Sequence, residues 1–519
     1  MKLSIFKRWL FWILIAIICL SSLVHAMGKN AGPVRLAPSR VGLAQSDTPT
    51  AARITYNEIR GMIREAVSLS GGFLSLIKDN MTVVIKPNLV GMTDYTLPNW
   101  GGRPLATEAN GVTTDWRVTK AVVELVREYN PHGKVYVMEG SGSPTKQVME
   151  HLLYTPENIP GVDEFLAIEE DSGAWADFDS PGLVKVKLPK GLLHQNYYLN
   201  RKYYEADLLI SLPTLKNHWH AAVTGGIKNV CVGATPANIY GASKYNPIRL
   251  NMFNHESEEI HRWIHDFYLC RPVDFVIMDG LQGIQNGPTP SYEMSRTADI
   301  KKDQMNMRLI LAGQDPIAVD TIASLIMGWD PQSVGYLRYL NASEKGNLDP
   351  ACITVAGKPV DLVRKYFAGV IPPGGGARIT VKTPPGLAVK KAGLAKDGLT
   401  LNLETGRDTV KVEVYINEEL QEPAILKNFS SVKLKLKQAC SVDQPIKVKI
   451  CAYDRFLNRS TRELTFAAKP EASGEVQSPG WILIPTGSFL APQAALTPVT
   501  GRREDEPSGK RPSIFGRLP

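Results

Sequence analysis

The sequence predicts an α/β protein in which a mostly parallel sheet carries helices on both faces, followed by a C-terminal β-sandwich. Three observations predict this organisation. Short apolar runs alternate with amphipathic segments over residues 53–371, a stretch rich in proline and glycine follows, and apolar residues then recur at every second position over residues 378–470. Strands that alternate with helices favour a parallel sheet joined by crossover helices. A period of two residues is typical of half-buried antiparallel strands.

The apolar runs of the first part predict its strands. They lie at residues 82–85, 134–138, 208–212, 273–278, 308–312 and 353–355. Amphipathic spacing predicts one helix that begins at Tyr56 and runs toward Leu76, and a second over Trp116–Tyr129. Asp115 directly precedes the second helix, where an aspartate side chain can accept a hydrogen bond from a free backbone N–H group.

A third helix has signals at both ends. Asp315 is its predicted N-cap, Pro316 occupies the first helical position, and Gly328 follows the last turn. Asp315 therefore has an ordinary structural role. Asp320 lies more than one turn into this helix, and a carboxylate there that faced the strand ends would be a ligand-site candidate.

The flanking segments differ from both folded parts. Residues 27–52 are rich in small and polar residues, which predicts a linker. Residues 471–519 combine proline, glycine and mixed charge without periodicity, which predicts a disordered tail apart from an apolar patch at 481–484. Within the β-rich part, residues 452–460 resemble the late hairpin of bacterial immunoglobulin-like or fibronectin type III-like modules.

Residues 1–26 have the three parts of a secretory signal peptide. Lys2, Lys7 and Arg8 precede a long apolar stretch, and small residues occupy the two recognition positions of a cleavage site that ends at Ala26. We therefore expect an exported protein, periplasmic or extracellular. An uncleaved signal segment is the alternative, and it is the one membrane contact that the sequence predicts.

The cysteines are few and scattered, and they number five after the signal peptide: Cys231, Cys270, Cys352, Cys440 and Cys451. An odd number at such spacing does not predict a disulfide framework, even in an oxidising compartment. Cys440 and Cys451 are close enough in sequence to bridge adjacent strands, and two unpaired thiols are equally compatible with the sequence.

The charge balance limits the class of partner. The formal net charge of +8 is distributed over 519 residues. We find no basic run interleaved with aromatic residues, so the sequence argues against a nucleic-acid partner. A general preference for anionic ligands is compatible with this charge.

Polar side chains cluster directly behind the strand predicted at residues 208–212. Pro213 ends that strand, and the residues that follow include Lys216, His218, His220, Lys228 and Asn229. Ligands of open α/β sheets bind at the carboxyl ends of the strands. Glycines at 225 and 226 would let the backbone approach a ligand closely. The sequence therefore predicts a ligand site at this edge, with a solvated loop as the alternative.

Seven short motifs extend this cluster along the chain in a fixed order: KPN at 86–88, EGSG at 139–142, SLPTLKNH at 211–218, TGGIKN at 224–229, MDG at 278–280, NGP at 286–288 and AGQDPIAVD at 312–320. Together they closely resemble the bacterial and archaeal domain-of-unknown-function 362 family, over residues 53–367. The resemblance implies a fold and a set of positions, and no established reaction.

Two features of the chain differ from common forms of that family. Many members look like iron–sulfur proteins because they carry a ferredoxin module, whereas this chain has no Cys-x-x-Cys-x-x-Cys run, so we expect no iron–sulfur cluster. The tripeptide at 216–218 is Lys-Asn-His rather than the more usual Lys-Thr-His. The role of Asn217 is therefore open.

The residue types favour an anionic small molecule as the ligand, held by these side chains: Lys86, Asn88, Lys216, Lys228, Asn229 and Asp279. Glu139 or His218 would then move protons. Glu139 could instead form an ion pair with Lys86 or Lys216. Gly140 and Gly142 could aim backbone N–H groups at an anion.

Two other kinds of chemistry remain compatible with these residues. His218 and His220 would face the same side of an extended segment and, with Glu139, could hold a divalent metal. Lys216 or Lys228, if desolvated beside the other, would have a lowered pKa and could act as a nucleophile that forms a Schiff base. A purely structural cluster is the third alternative to an anion site.

Two functions of different classes follow from this sequence. The first is an exported enzyme that acts on an anionic small molecule by acid/base chemistry. The second is a non-catalytic binding protein that the β-sandwich attaches to a cell-envelope or polysaccharide partner. The variety of ionisable groups in one cluster favours the first, and the β-sandwich favours the second.

Overall fold

The structure is a computed structural model that describes residues 37–90, 109–243, 249, 251–254, 257–288, 300–369, 376–380, 383–395, 398–421, 431–434, 445–468 and 481–484. The predicted signal peptide, most of the proline- and glycine-rich stretch and Cys440 lie outside these ranges. The Cys440–Cys451 pairing therefore stays a prediction. None of the described helices is long and apolar enough to cross a membrane.

The strands of the α/β part are β1 (Ser39–Gln45), β2 (Thr82–Pro87), β3 (Lys134–Glu139), β4 (Glu164–Ala167), β5 (Leu183–Lys187), β6 (Asn196–Asn200), β7 (Leu208–Leu212), β8 (Thr214–His218), β9 (Ala222–Thr224), β10 (Phe275–Ile284), β11 (Leu309–Gly313), β12 (Trp329–Asp330) and β13 (Ile353–Gly357). Its helices are α1 (Tyr56–Ser70), α2 (Phe73–Leu76), α3 (Trp116–Tyr129), α4 (Thr145–His151), α5 (Ile168–Asp171), α6 (Arg201–Glu205), α7 (Gly226–Gly233), α8 (Ala237–Tyr240), α9 (Glu259–Cys270), α10 (Ile300–Asp303), α11 (Pro316–Ile326), α12 (Gly335–Ala342) and α13 (Val360–Val363).

Ten strands of the α/β part form one mixed, mostly parallel sheet. Its path runs β13-β1-β11-β10-β7-β2-β3-β4; β8 branches from β10, and β9 pairs with β8. The central pairs β7–β2, β2–β3 and β10–β7 are parallel, while β11 is antiparallel to both of its neighbours. The predicted fold class is therefore confirmed.

Both faces of this sheet are covered, which explains why its strands are nearly continuous apolar runs. Along β2, Val84 belongs to one core, whereas Val83 and Ile85 belong to the other. Helices α1 and α3 pack on the second face, and α7, α9 and α11 pack on the first. Because Lys86 follows Ile85 in this alternation, its side chain lies on the face covered by α7.

The predicted helix from Tyr56 toward Leu76 is divided at Gly71 and Gly72 into α1 and α2, whereas the starts of α3 and α11 agree with their capping signals. The Asp115 side chain accepts a hydrogen bond from Arg117 N at the start of α3. Asp315 accepts hydrogen bonds from Ile317 N and Ala318 N at the start of α11. Both predicted N-caps are confirmed.

The segment expected to be a linker contains a strand. Residues 39–45 form β1, which pairs with β11 and with β13. Its small residues reflect close packing by α1, since a Cβ atom at Gly42 would lie 1.9 Å from the carbonyl oxygen of Ala66. The linker prediction was wrong for these residues, because small size signalled a close approach and not flexibility.

The C-terminal part contains β14 (Ala377–Arg378), β15 (Leu387–Ala395), β16 (Gly398–Thr405), β17 (Lys411–Ile416), β18 (Glu419–Leu420), β19 (Ser431–Leu434), β20 (Ile446–Tyr453), β21 (Arg459–Ala468) and β22 (Trp481–Ile484). Two antiparallel sheets, β15-β16-β19 and β18-β17-β20-β21-β22, share one apolar core. The part is therefore sandwich-like. Strand β22 adds the apolar patch of the predicted tail to the second sheet.

The C-terminal part packs directly on the α/β part. Phe456 and Leu457 belong to the apolar core of the α/β part. Arg455 forms an ion pair with Asp330 at 2.8 Å, and Lys411 Nζ donates to the carbonyl oxygen of Ile353 at 2.8 Å. Lys411 and Glu413, on the polar face of β17, are both buried, and Lys411 contacts the α/β part.

Candidate functional site

The predicted site residues come from strands that end at the same edge of the sheet. Lys86 lies near the end of β2, and Glu139 is the last residue of the neighbouring β3. After β7 ends, Pro213 directs the chain into β8, which carries Lys216. Helix α7 packs over this edge and contributes Lys228 and Asn229. Residues distant in sequence are thereby brought together.

Lys86 and Glu139 form a buried ion pair. The Lys86 Nζ atom lies 2.8 Å from Glu139 Oε1 and also donates to Pro87 O at 2.7 Å and to Asn229 Oδ1 at 3.1 Å. These contacts use all three donors of an ammonium group. Burial lowers the pKa of Lys86, and the charge of Glu139 opposes that shift. Lys86 therefore has no donor left for a ligand.

The carboxylate of Glu139 also has its hydrogen-bond partners within the protein. Besides Lys86, it accepts hydrogen bonds from Gly140 N at 2.8 Å and from Leu89 N at 2.8 Å. Both carboxylate oxygens of Glu139 therefore have donors within the protein. Of the two roles considered for Glu139, the geometry matches the ion pair with Lys86 and not a free proton acceptor.

Two asparagines connect the lysines. Asn229 donates to Lys86 O at 3.0 Å and to Ser211 Oγ at 3.1 Å, while its Oδ1 accepts from Asn88 Nδ2 at 3.0 Å. The Asn88 Oδ1 atom in turn accepts from Lys216 Nζ at 2.8 Å. Both amides are thus fixed in orientation, and they place Lys86 and Lys216 in one hydrogen-bonded network.

Lys216 is almost completely buried, with 1% of its surface exposed. Its Nζ atom has two described acceptors, Asn88 Oδ1 at 2.8 Å and Val112 O at 2.5 Å. No carboxylate pairs with it in the described part of the chain. Burial lowers its pKa well below the ordinary value, and the positive charge of Lys228 lowers it further.

Lys228 has the least compensated charge of the three lysines. Its side chain is 8% exposed, and no described residue accepts a hydrogen bond from its Nζ atom or forms an ion pair with it. Burial lowers the pKa of Lys228 to about 8, and the charge of Lys86 contributes to this shift. All three donors of this ammonium group are therefore available to a ligand.

The histidines do not form the predicted metal site. His218 ends β8, and its Nδ1 atom accepts hydrogen bonds from the backbone N–H groups of His220 at 3.0 Å and Ala221 at 3.3 Å. This turn keeps the two imidazole rings 5.9 Å apart, centroid to centroid. Over the residues that the structure describes, no three His, Cys, Asp or Glu side chains converge as metal ligands. The set of His218, His220 and Glu139 is therefore not assembled.

The glycines of EGSG do not present free N–H groups to an anion. Gly140 N donates to Glu139 Oε1, Ser141 N donates to Thr145 Oγ1 at 2.9 Å, and Gly142 N donates to Val90 O at 2.7 Å. The interpretation of this motif as an anion-binding loop was wrong, because each N–H group already has an internal acceptor.

The Gly-Gly pair at 225–226 allows close packing rather than ligand approach. A Cβ atom at Gly225 would lie 2.1 Å from the Asp320 carboxyl carbon. Asp320 Oδ1 accepts a hydrogen bond from Gly226 N at 2.7 Å, and its Oδ2 accepts from Ile227 N at 3.3 Å. Asp320, considered above as a ligand-site candidate, therefore caps helix α7. Burial raises its pKa to about 7.

Asp279 is also engaged by backbone groups. Its Oδ2 accepts from Asp115 N at 2.9 Å and its Oδ1 accepts from Leu281 N at 3.0 Å. Burial and the nearby charge of Asp115 raise the pKa of Asp279 to about 7. It lies at the predicted edge of the sheet, and it has no described contact with the lysines. We therefore do not count it among the ligand-facing groups.

Asn217, whose role the sequence left open, has a structural one. It lies between Lys216 and His218 on β8, so its side chain points to the opposite face. Its Nδ2 donates to Ala368 O at 2.5 Å, and its Oδ1 accepts from Gly287 N at 2.7 Å. The residue thus fastens the NGP motif and residue 368 to β8.

Two contributors were missed by the sequence analysis. Arg249 is 5% exposed and donates to Thr235 O and to Ser141 O, and a Cβ atom at Gly140 would lie 2.4 Å from its guanidinium. Gly233 leaves room for the ion pair, since a Cβ atom there would lie 2.6 Å from Lys86 Nζ. No local pattern marks Arg249, whereas the position of Gly233 two turns after Gly226 was a usable signal.

Comparison with solved structures gives remote likenesses, among them the following two. The chain is similar to the lactate racemase apoprotein from Thermoanaerobacterium thermosaccharolyticum, with 15% identity, coverage of 54% of this chain and 54% of that chain, and a TM-score of 0.28. It is also similar to the Clostridium perfringens spore cortex lytic enzyme SleM, with 9% identity, coverage of 80% and 77%, and a TM-score of 0.16. The chain spans about half the length of the racemase chain.

Because both TM-scores are low, the fold assignment rests on the strand order of the chain itself. Comparison with curated proteins gave no match. A family model described as Domain of unknown function (DUF362) matches residues 83–324. That range begins in β2, ends in α11 and contains every lysine of the site. The match supports the DUF362 family for the domain that carries the lysine cluster.

Proposed function

We propose that the α/β part binds an anionic small molecule at a lysine cluster formed by Lys86, Lys216 and Lys228. The observation that supports this most strongly is Lys228, a residue that is only 8% exposed and whose ammonium group has no described partner. A buried charge without compensation is costly, and a ligand carboxylate or phosphate would supply the missing counter-charge.

The local charge balance supports the same ligand class. The basic side chains of the cluster are the three lysines and Arg249, and the carboxylates that act on them are Glu139 and Glu169. Burial raises the pKa of Glu169. The basic side chains thus outnumber the carboxylates, which favours an anion over a metal cation as the ligand.

Counting donors divides the cluster into a frame and a binding group. Lys86, Glu139 and Asn229 satisfy one another and form the frame. Lys228, whose three donors have no described partner when it is protonated, forms the binding group, and Lys216 lies close enough for the two side chains to interact. Acid/base chemistry at this site would then fall to the lysines, whose pKa values are lowered, rather than to Glu139.

Titration of the full chain with inorganic phosphate tests this proposal. The Lys228→Met variant should bind phosphate roughly 10- to 150-fold more weakly, which corresponds to about 1.5–3 kcal/mol for hydrogen bonds to a charged group. Lys190→Met, at an exposed position outside the cluster, is the matched control and should bind like the parent chain. Equal affinity in all three proteins would contradict the proposal.

The alternative is a binding protein without turnover, exported and attached to the cell envelope through the sandwich-like part. We retain export as a proposal that rests on residues 1–26. The packing of Phe456 and Leu457 into the α/β core disfavours a role of the C-terminal part as a freely moving spacer. Consumption of a bound ligand over time would distinguish an enzyme from a binding protein.

A further inference from the structure

We infer that Lys216 is an amine nucleophile that forms a covalent imine with a carbonyl compound bearing an anionic group, such as a 2-oxo acid. The inference rests on the proposed anion site and names its substrate class. It is carried by the hydrogen bonds of Lys216, its burial and the position of Lys228.

The hydrogen bonds of Lys216 match those of a neutral amine. A neutral amine has two N–H donors and one lone pair, and Nζ has two described acceptors, Asn88 Oδ1 and Val112 O. The orientation of the Asn88 amide is fixed, because its Nδ2 donates to Asn229 Oδ1 and its Oδ1 therefore faces Lys216. With both donors engaged, the lone pair is left for a carbonyl carbon.

The surroundings of Lys216 also favour the neutral form. The side chain is 1% exposed and has no described carboxylate partner, and Lys228 is close enough for its positive charge to act on it. A lysine that is desolvated beside another cation is the usual arrangement for Schiff-base formation. Lys86 differs because the charge of Glu139 opposes the effect of burial on its pKa and because all three of its donors are in use.

The reaction needs no component beyond the two lysines and the carbonyl compound. The Lys216 lone pair forms a bond to the carbonyl carbon, and the electron pair of the carbonyl π bond moves to oxygen. The nitrogen of the resulting carbinolamine loses a proton, the oxygen accepts protons, and water departs as the C=N bond forms. Lys228 both attracts the anionic group and donates a proton to the departing oxygen.

Reduction with sodium borohydride in the presence of pyruvate tests the inference on the full chain. Borohydride converts the imine to a stable secondary amine, so the protein should become heavier by one pyruvic acid less one oxygen atom. Peptide mapping should place the added mass on the peptide that contains Lys216. The Lys216→Met variant should lose the adduct, and the exposed-site variant Lys190→Met should keep it.

A further variant separates this inference from a loss of folding or of anion binding. Lys216→Arg keeps N–H donors at this position, has no nucleophilic amine and leaves Lys228 unchanged, so phosphate should still bind while the adduct disappears. If pyruvate binds to the parent chain and no adduct forms at Lys216, the nucleophile is refuted and the anion site stands. If neither phosphate nor pyruvate binds, the proposed function itself fails.

Discussion

Replacing Lys228 by methionine should stabilise the fold, although it removes a group that we assign to the site. The pKa of Lys228 falls from 10.5 to about 8 on folding, because burial and the charge of Lys86 disfavour its protonated form. At about 1.4 kcal/mol for each pKa unit, this corresponds to about 3 kcal/mol of destabilisation at neutral pH. Methionine has similar length and no charge, so the variant should recover most of that free energy of unfolding.

The pH dependence gives this prediction a definite sign. Below about pH 8 Lys228 is protonated in both states, so the full cost of burying the charge is present. Between about pH 8 and 10.5 the unfolded chain binds this proton and the folded chain does not, so raising the pH stabilises the parent protein. The advantage of Lys228→Met should therefore be about 3 kcal/mol at pH 7 and nearly absent above pH 10.5.

Urea unfolding of both proteins, followed by far-UV circular dichroism at about pH 7 and about pH 10, measures this difference. Lys411→Met is an informative control, since Lys411 is also buried but lies 2.8 Å from Glu413. Its removal leaves a buried carboxylate unpaired and should destabilise the fold by about 3–5 kcal/mol. A destabilised Lys228→Met variant at pH 7 would show that Lys228 has a counter-charge, and the reasoning behind the anion site would be wrong.

Three further outcomes follow from the described contacts. Sulfate, whose own charge does not change in this range, should bind more weakly as the pH rises above about 8, because Lys228 then loses its proton; a pH-independent affinity measured by calorimetry would contradict its role. Gly225→Ala should lower the free energy of unfolding by about 1–3 kcal/mol because the new methyl group would meet the Asp320 carboxylate, whereas Gly61→Ala, with no atom within 4 Å, should raise it by about 0.5–1 kcal/mol; equal effects in thermal melts would refute the steric argument. Asn217→Ala should cost about 1–3 kcal/mol by leaving Gly287 N without its acceptor and should not change phosphate affinity; a weaker affinity would place residue 217 in the binding group.

Much of the fold could be predicted because its signals are local. The strand at 208–212 and the helix at 116–129 each have an apolar pattern that depends on adjacent residues alone. Strand β1 could not be found in this way, since its glycine and alanine are dictated by helix α1, which packs on it. The burial of Lys411 could likewise not be predicted, because the surface that covers it belongs to the α/β part.

The candidate site shows the same division. The residues that form the site could be predicted, since its lysines and asparagines lie near the ends of strands that meet at one edge of the sheet. Their roles were not, because the donor count of Lys86 depends on Glu139 and Asn229, which lie far from it in sequence. The glycines illustrate the opposite error. The sequence analysis assigned Gly140 and Gly225 to ligand contact, whereas the space beside them is occupied by the side chains of Arg249 and Asp320.

The position of β1 within the sheet has a consequence for folding. Gly42 pairs with Ala312, and Ser39 pairs with Ile353. Strand β1 can therefore complete its pairing only after about 270 or more further residues have been synthesised. Closing such long loops slows folding, and an unpaired apolar strand is open to intermolecular pairing meanwhile. The newly made chain should therefore depend on a chaperone that shields this segment until the last strand of the sheet arrives.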